Sequence, residues 1–311
     1  MGNRFRFGVM VSEMSTGAEL LDVARRAEAL GYSTLFVPDH YVNHPISPIP
    51  ACAAIAAVTT TLHVGTLVLA NDFRHPVVTA RDAATIDVIS GGRLELGIGA
   101  GWMRSDYEAT GLDYDPPSVR VDRLEESIAV LKALFAESPC NHDGRFYRIR
   151  ELDGLPKPVQ RPHPPIIIGG GGKKILTLAA READIVGINA RLTEGVLGPA
   201  AEQSLMTDAT DQKIKWVQDA AGSRFASLEL QAFAAFVHVT DDRLPIGERM
   251  AAAFGVSPEA ALQSPMALVG SIAELTDEVH RRRDRWSISY QVVPAESMEA
   301  FAPVVTALAG N

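Results

Sequence analysis

The sequence predicts an α/β fold, a closed (β/α)8 TIM barrel, from three observations. Segments of strand length alternate with helical segments along 311 residues, and eight such pairs can be counted. The strand segments are apolar almost throughout, as in a parallel sheet covered by helices. Glycine and polar side chains gather where those segments end, which in a barrel is the C-terminal mouth that holds the active site. A doubly wound open sheet is the competing architecture, and eight units favour closure. Composition does not shift along the chain, so one domain is expected over residues 1–311. Insertions near 103–120, 138–163 and 190–210 interrupt the alternation at the mouth.

The elements follow in order. Residues 4–10, RFRFGVM, alternate and end apolar. Next, Leu20, Val23, Ala24, Ala27 and Leu30 stand at helical spacing before Gly31, a C-terminal stop. A buried strand at 33–40 (STLFVPDH) leads to a helix of small residues at 50–60. A strand at 62–71 (LHVGTLVLAN), a helix at 76–90 and a strand at 91–101 (GGRLELGIGAG) come next. Residues 119–136 form an amphipathic helix. Residues 141–165 read as an excursion, with turn chemistry at Asp143-Gly144 and a proline-rich return. Alternation resumes with a strand at 165–172 (PIIIGGGG), a helix at 173–183 and a strand at 184–189. Residues 228–240 read as one long strand, followed by a helix at 271–285, a strand at 288–294 and a helix at 296–309. Stretches 191–208 and 251–264 read as irregular and are expected to shape a mobile pocket rim.

Composition narrows the function. Hydrophobic residues make up 47% and the net charge is -9. No basic run exceeds Arg281-Arg282-Arg283, so a nucleic-acid surface is not expected. Two cysteines, Cys52 and Cys140, give neither a disulfide framework nor a CxxC zinc site. No apolar run reaches about 18 residues, and the N-terminus shows no signal-peptide core. Arg6 stands where myristoylation wants Ser or Thr. A cytoplasmic location without a membrane span is expected.

The strand ends carry the candidate chemistry. They are Met10-Val11-Ser12-Glu13, Pro38-Asp39-His40, Ala70 to Arg74, Gly99-Ala100-Gly101-Trp102, Gly169 to Lys173, Asn189-Ala190-Arg191 and Val293-Pro294. Gly97-x-Gly99-x-Gly101 lacks the dinucleotide spacing. It reads either as a strand end against a flat ring or as a crowded barrel corner. The run Gly169 to Gly172 before Lys173 reads as a phosphate cradle at a helix N-terminus, or as a flexible turn. His40 is a candidate acid or base, or a loop histidine satisfied by hydrogen bonds. His40-x3-His44 has metal-ligand spacing, but Pro45 follows and no carboxylate set accompanies it, so no metal is expected. Arg74 reads as an anion clamp, or as an ion pair holding its loop with Asp72.

These residues resemble the bacterial luciferase-like flavin and deazaflavin oxidoreductases, in the branch that uses coenzyme F420. The segments carrying the likeness are LFVPDHY (35–41), LVLANDFRHP (67–76), ISGGRLELGIGAGW (89–102), RLEESIAVLKALF (123–135), PIIIGGGGKKILTLAA (165–180) and VGSIAELTDEV (269–279). The resemblance implies a cofactor ring at the barrel mouth and a non-prolyl cis peptide after the third strand, here Leu67–Val68. It places Val68 and Ala70 behind the ring, and Gly99, Ala100 and Gly101 beside it. Gly169, Gly170 and Gly171, with Lys173, match the cofactor-phosphate loop, and Arg74 would meet an anionic group on cofactor or substrate. In the family's sugar-phosphate dehydrogenases an Asp-His pair follows the second strand, and its histidine is the catalytic base. Asp39 and His40 match that pair, with Asp39 expected to orient His40 or to bind the cofactor. Those enzymes carry a glutamate acid after the fourth strand's glycines, where this chain has Trp102. His40 then lacks its acid partner unless Asp106, Tyr107 or Glu108 reaches in.

The expected activity is hydride transfer between F420 C5 and a small organic substrate, in a pocket lined by Trp102, Tyr107 and Arg191. Arg104, Lys173, Lys174 and Arg191 are candidate cations for the F420 tail. An FMN-dependent monooxygenase fed by a separate flavin reductase is the alternative, and a non-catalytic cofactor-binding barrel is a weaker one. A reductase for either cofactor is a candidate partner. A homodimer is expected, with Ala53, Ile55, Ala57, Val77 and Val78 as a candidate surface.

Overall fold

The computed structural model describes residues 3–11, 14, 16–192, 194–196 and 198–311. Ser12 and Glu13, expected at the first strand's mouth end, lie outside the described residues. Eight strands make the barrel: β1 (Arg6–Met10), β2 (Thr34–Val37), β3 (His63–Thr66), β4 (Leu94–Gly99), β5 (Ile166–Gly170), β6 (Ile185–Ile188), β7 (Glu229–Phe233) and β8 (Ile288–Pro294). Every pairing among them is parallel, in the order β3-β2-β1-β8-β7-β6-β5-β4. A β3–β4 pairing closes the ring. Just past β3, Leu69–Ala70 pair with the end of β4. The Leu67–Val68 peptide bond between them is cis, at the bond the resemblance singles out.

The helices are α1 (Gly17–Ala29), α2 (Pro48–Val58), α3 (Pro76–Ser90), α4 (Arg104–Thr110), α5 (Pro117–Phe135), α6 (Lys173–Glu182), α7 (Pro199–Gln203), α8 (Thr207–Ala221), α9 (Leu244–Phe254), α10 (Pro258–Leu262), α11 (Ile272–Trp286) and α12 (Met298–Leu308). Local chemistry sets their ends. Thr16 and Glu19 form a capping box at α1, and Ser271 and Glu274 do so at α11. Gly91, at φ 68°, ends α3 in the left-handed conformation.

Side chains alternate across each strand. Outward residues such as Val9, Leu35, Leu96 and Ile168 join the core under the helices. Phe36, Ile167, Ile185, Tyr290 and Val292 fill the barrel interior. Glycines opposite them make room, for a Cβ on Gly65 would come within 2.7 Å of the Phe36 ring. At the N-terminal ends, the buried Glu95 accepts hydrogen bonds from Arg6, from Thr34 at 3.2 Å and from Tyr290 at 3.1 Å. Arg6 also bonds Glu229 at 2.8 Å. This polar plug seals one end. At the other end Met10, Leu67 and Phe233 join the inner cluster while staying partly exposed, a floor for the mouth.

Two expectations need correction. Residues 228–240 are two strands, because the chain leaves the barrel at Ala234, whose N–H bonds Val292 at 2.8 Å. Phe236–Val239 then pairs with Ala267–Gly270 as a separate parallel ribbon. Residues 251–264 are largely helical, and α9 and α10 bury Met250, Phe254 and Ala261 in a small core of their own. The excursion near 138–163 holds an antiparallel hairpin of Cys140–Asp143 with Arg148–Leu152.

Candidate active site

Past β2 the chain delivers Asp39 and His40 to the mouth, and the two turn to different partners. The buried Asp39 carboxylate accepts both guanidinium nitrogens of Arg74, Nη2 at 3.0 Å, and the Ala70 N–H at 3.0 Å. It makes no hydrogen bond to His40, so the orienting role expected of it is not its own. Arg74 is thus paired with Asp39 and not with Asp72, and each of its Nη atoms keeps a second N–H. Burial opposes its charge, but the Asp39 hydrogen bonds and charge leave its pKa raised. This clamp ties the ends of β2 and β3 beside the cis bond.

His40 is instead oriented by Asp106, in the first turn of α4. Its Nδ1 lies 2.7 Å from Asp106 Oδ2. Asp106 Oδ1 accepts the backbone N–H groups of Tyr41 and Val42, both at 2.9 Å. The carboxylate is 1% exposed. The Trp102 ring meets the His40 ring edge-on at 5.6 Å, and the His44 ring lies 5.0 Å away. His40 Nε2 has no protein partner among the described residues. Of the three residues considered as acid partner, Asp106 reaches the histidine and Glu108 is exposed. Tyr107 is 1% exposed, so it stands behind the pocket wall and not in it. Its hydroxyl donates to Asp72 at 3.0 Å, and Asp72 pairs with Arg123 at 2.9 Å. Burial, then the Asp72 charge, raises the Tyr107 pKa.

The glycines of β4 answer first to the protein. A Cβ on Gly97 would strike the Thr66 carbonyl, and one on Gly99 would come within 2.8 Å of a Val68 methyl. Gly101 has φ 74°, with the Tyr107 hydroxyl where a Cβ would be. Gly97 and Gly99 make room for the turn that contains the cis bond, and Gly101 for the Tyr107 hydroxyl, so the corner is crowded at all three. The run after β5 divides. Gly170 faces Ile175 and Gly171 the Ala190 carbonyl. Gly169 meets nothing nearer than 3.9 Å, and Gly172 nothing within 4 Å.

The mouth suits a flat ring with an anionic tail. Met10, Leu67 and Phe233 give an apolar floor, and Gly169 leaves open space at the end of β5. Gly172 begins α6 without a side-chain cap, so its first-turn amides remain for an anion. Lys173 and Arg191 are exposed, and their side chains make no ion pair among the described residues. The other two candidate cations are occupied. Lys174 bonds the Ser118 carbonyl and Asp122, and Arg104 stacks 5.0 Å over Tyr114. No group of three or more His, Cys, Asp or Glu among the described residues is placed to hold a metal ion.

Sequence reasoning missed Arg120. It is buried, bonds the Gly101 carbonyl and lies 4.3 Å over the Tyr114 ring. It sits mid-pattern in an amphipathic helix, where no motif marks it. The Asp106 role had a signal, an acidic residue in the first turn of a short helix just past a strand end. The sequence does not say which histidine that turn faces.

The family model for luciferase-like monooxygenases matches residues 4–304. An F420-dependent glucose-6-phosphate dehydrogenase of Microbacterium testaceum is 33% identical over 187 residues, 58% of this chain and 55% of that protein. An FMNH(2)-dependent dimethylsulfone monooxygenase of Pseudomonas putida is 33% identical over 143 residues, 46% of this chain and 39% of that one. The matches thus span about half the length of these curated relatives, or less. The coenzyme F420-dependent tetrahydromethanopterin reductase of Methanopyrus kandleri shares the fold, with a TM-score of 0.77, 18% identity and 99% coverage of both chains.

Proposed function

The chain belongs to the luciferase-like monooxygenase family, and on that premise we propose that it is an F420-dependent oxidoreductase acting on a small organic substrate. The observation that carries this reading is His40, held by a buried carboxylate, with Nε2 at the mouth making no hydrogen bond among the described residues. Bound F420 supplies a carbon, C5, that gives or accepts a hydride. The protein does the rest. His40 takes up or returns the proton that accompanies the hydride. Met10, Leu67 and Phe233 form an apolar floor, and Trp102 walls the histidine, which keeps water from the reacting centre. The α6 amides with Lys173, and Arg191 beside the glycine run, bind the anionic tail.

A second reading, an FMN-dependent monooxygenase supplied by a flavin reductase, is favoured by Trp102 standing where the sugar-phosphate enzymes carry an acid. Anaerobic assays with reduced F420 against a panel of small carbonyl compounds separate the two. The proposal expects turnover without oxygen that His40→Ala abolishes. Oxygen-dependent product formation from reduced FMN, with none from F420, overturns it. We also propose a homodimer through α2 and α3. Val78, Val88 and Ile89 are about half exposed there, whereas Ile55 is covered by its own barrel.

A further inference from the structure

We infer that Asp106 is the positioning residue that decides which nitrogen of His40 carries the proton. This deepens the reading of His40 above and rests on it. An ionised carboxylate only accepts hydrogen bonds. With Oδ2 at 2.7 Å from Nδ1, the neutral ring must keep its proton on Nδ1. Nε2, with no protein partner among the described residues, is then the basic nitrogen and the one that takes a proton from substrate. Asp106 is not the missing acid. Three donors converge on it, from His40, Tyr41 and Val42, and it is almost fully buried. The chain replaces the acid lost at Trp102 with a carboxylate behind the base.

The backbone geometry makes this separable from a structural role. In Asp106→Asn the two amides of Tyr41 and Val42 still need an acceptor, and the side chain has only one oxygen. That oxygen keeps both amides, so the turn at 41–42 stays pinned. The NH2 group is left facing Nδ1, which must now accept. The proton moves to Nε2, and the basic nitrogen points away from the mouth. Inversion of a catalytic histidine's tautomer in this way is known to disable serine proteases.

The test is 15N NMR of the imidazole in cofactor-free protein, with the His40 signals assigned by their loss in His40→Gln. We expect the neutral ring to be protonated on Nδ1 in the wild type and on Nε2 in D106N. Carbethoxylation of His40 by diethyl pyrocarbonate, read by mass spectrometry, attacks the unprotonated exposed nitrogen and should slow about tenfold in D106N. A wild-type ring protonated on Nε2, or the same tautomer in both proteins, overturns the inference. The wild-type spectrum alone decides the matter should D106N fail to fold. No cofactor is present in these measurements, so their failure is distinguishable from failure of the F420 reading, which the anaerobic assays address.

Discussion

Replacing Asp39 with alanine tests whether the Asp39–Arg74 clamp builds the mouth. The substitution removes two charge-assisted hydrogen bonds and the acceptor of the Ala70 N–H. It leaves a guanidinium that is 17% exposed without its carboxylate. Breaking a buried pair from one side costs about 3–5 kcal/mol, and the solvent that still reaches Arg74 places this one near about 3 kcal/mol. A chain of this size loses roughly 1.5 °C of Tm per kcal/mol, so D39A should melt about 5 °C lower. Urea unfolding followed by circular dichroism, alongside calorimetry, reads both quantities. The double variant D39A/R74M should lose less than the two single variants together, by about 1 kcal/mol or more, because no unpaired charge remains. A D39A cost below about 0.5 kcal/mol, or strict additivity in the double variant, would refute the reasoning.

Other perturbations have signed outcomes. Burial would raise the Glu28 pKa, but the backbone N–H groups of Thr61, Leu62 and Thr60 lower it to about 2. Its stabilisation is therefore complete above the ordinary value of 4.5 and is lost as pH falls toward 2. Acid titration of stability should be shallower in Glu28→Gln over that window. Burial lowers the Lys213 pKa to about 8, where Nζ bonds the Asn189 carbonyl at 2.7 Å. Between pH 8 and the ordinary 10.5 the unfolded chain holds a proton that the folded chain lacks. Stability should rise with pH there, and Lys213→Met should abolish the rise in urea titrations. Gly97→Ala pushes a Cβ into backbone and Gly99→Ala into a Val68 methyl. The first should cost about 2–3 kcal/mol and the second about 1 kcal/mol. Equal costs in the same unfolding assay would contradict the packing described at β4. Val78→Glu should convert a dimer to monomer in sedimentation velocity, and an unchanged sedimentation coefficient would place the interface elsewhere.

The barrel was legible because buried parallel strands and amphipathic helices have distinct periods. Segments such as 165–172 and 173–183 could hardly be read otherwise. The break at Ala234 was not legible, since alanine continues an apolar run as easily as it ends one. Only the Val292 carbonyl, far along the sequence, shows where the barrel strand stops. The glycines at the end of β4 mark close approaches, and within the chain Gly97 and Gly99 are approached by the turn after β3 and Gly101 by Tyr107. Asp39 and Asp106 show the same limit at the site. Both carboxylates were visible beside His40, and which one holds it depends on how the turn after β4 packs against the turn after β2.

The central claim is that this mouth binds a deazaflavin and places it beside His40. The most direct measurement is a parallel titration of the purified protein with F420 and FMN, oxidised and reduced, followed by fluorescence. The account predicts saturable, tight binding of F420 and at least tenfold weaker binding of FMN. Lys173→Glu should weaken F420 binding, while His40→Ala leaves it within twofold of wild type. Preference for FMN would contradict the F420 reading and transfer the same site to oxygen chemistry. Binding of neither would contradict the enzyme reading as a whole.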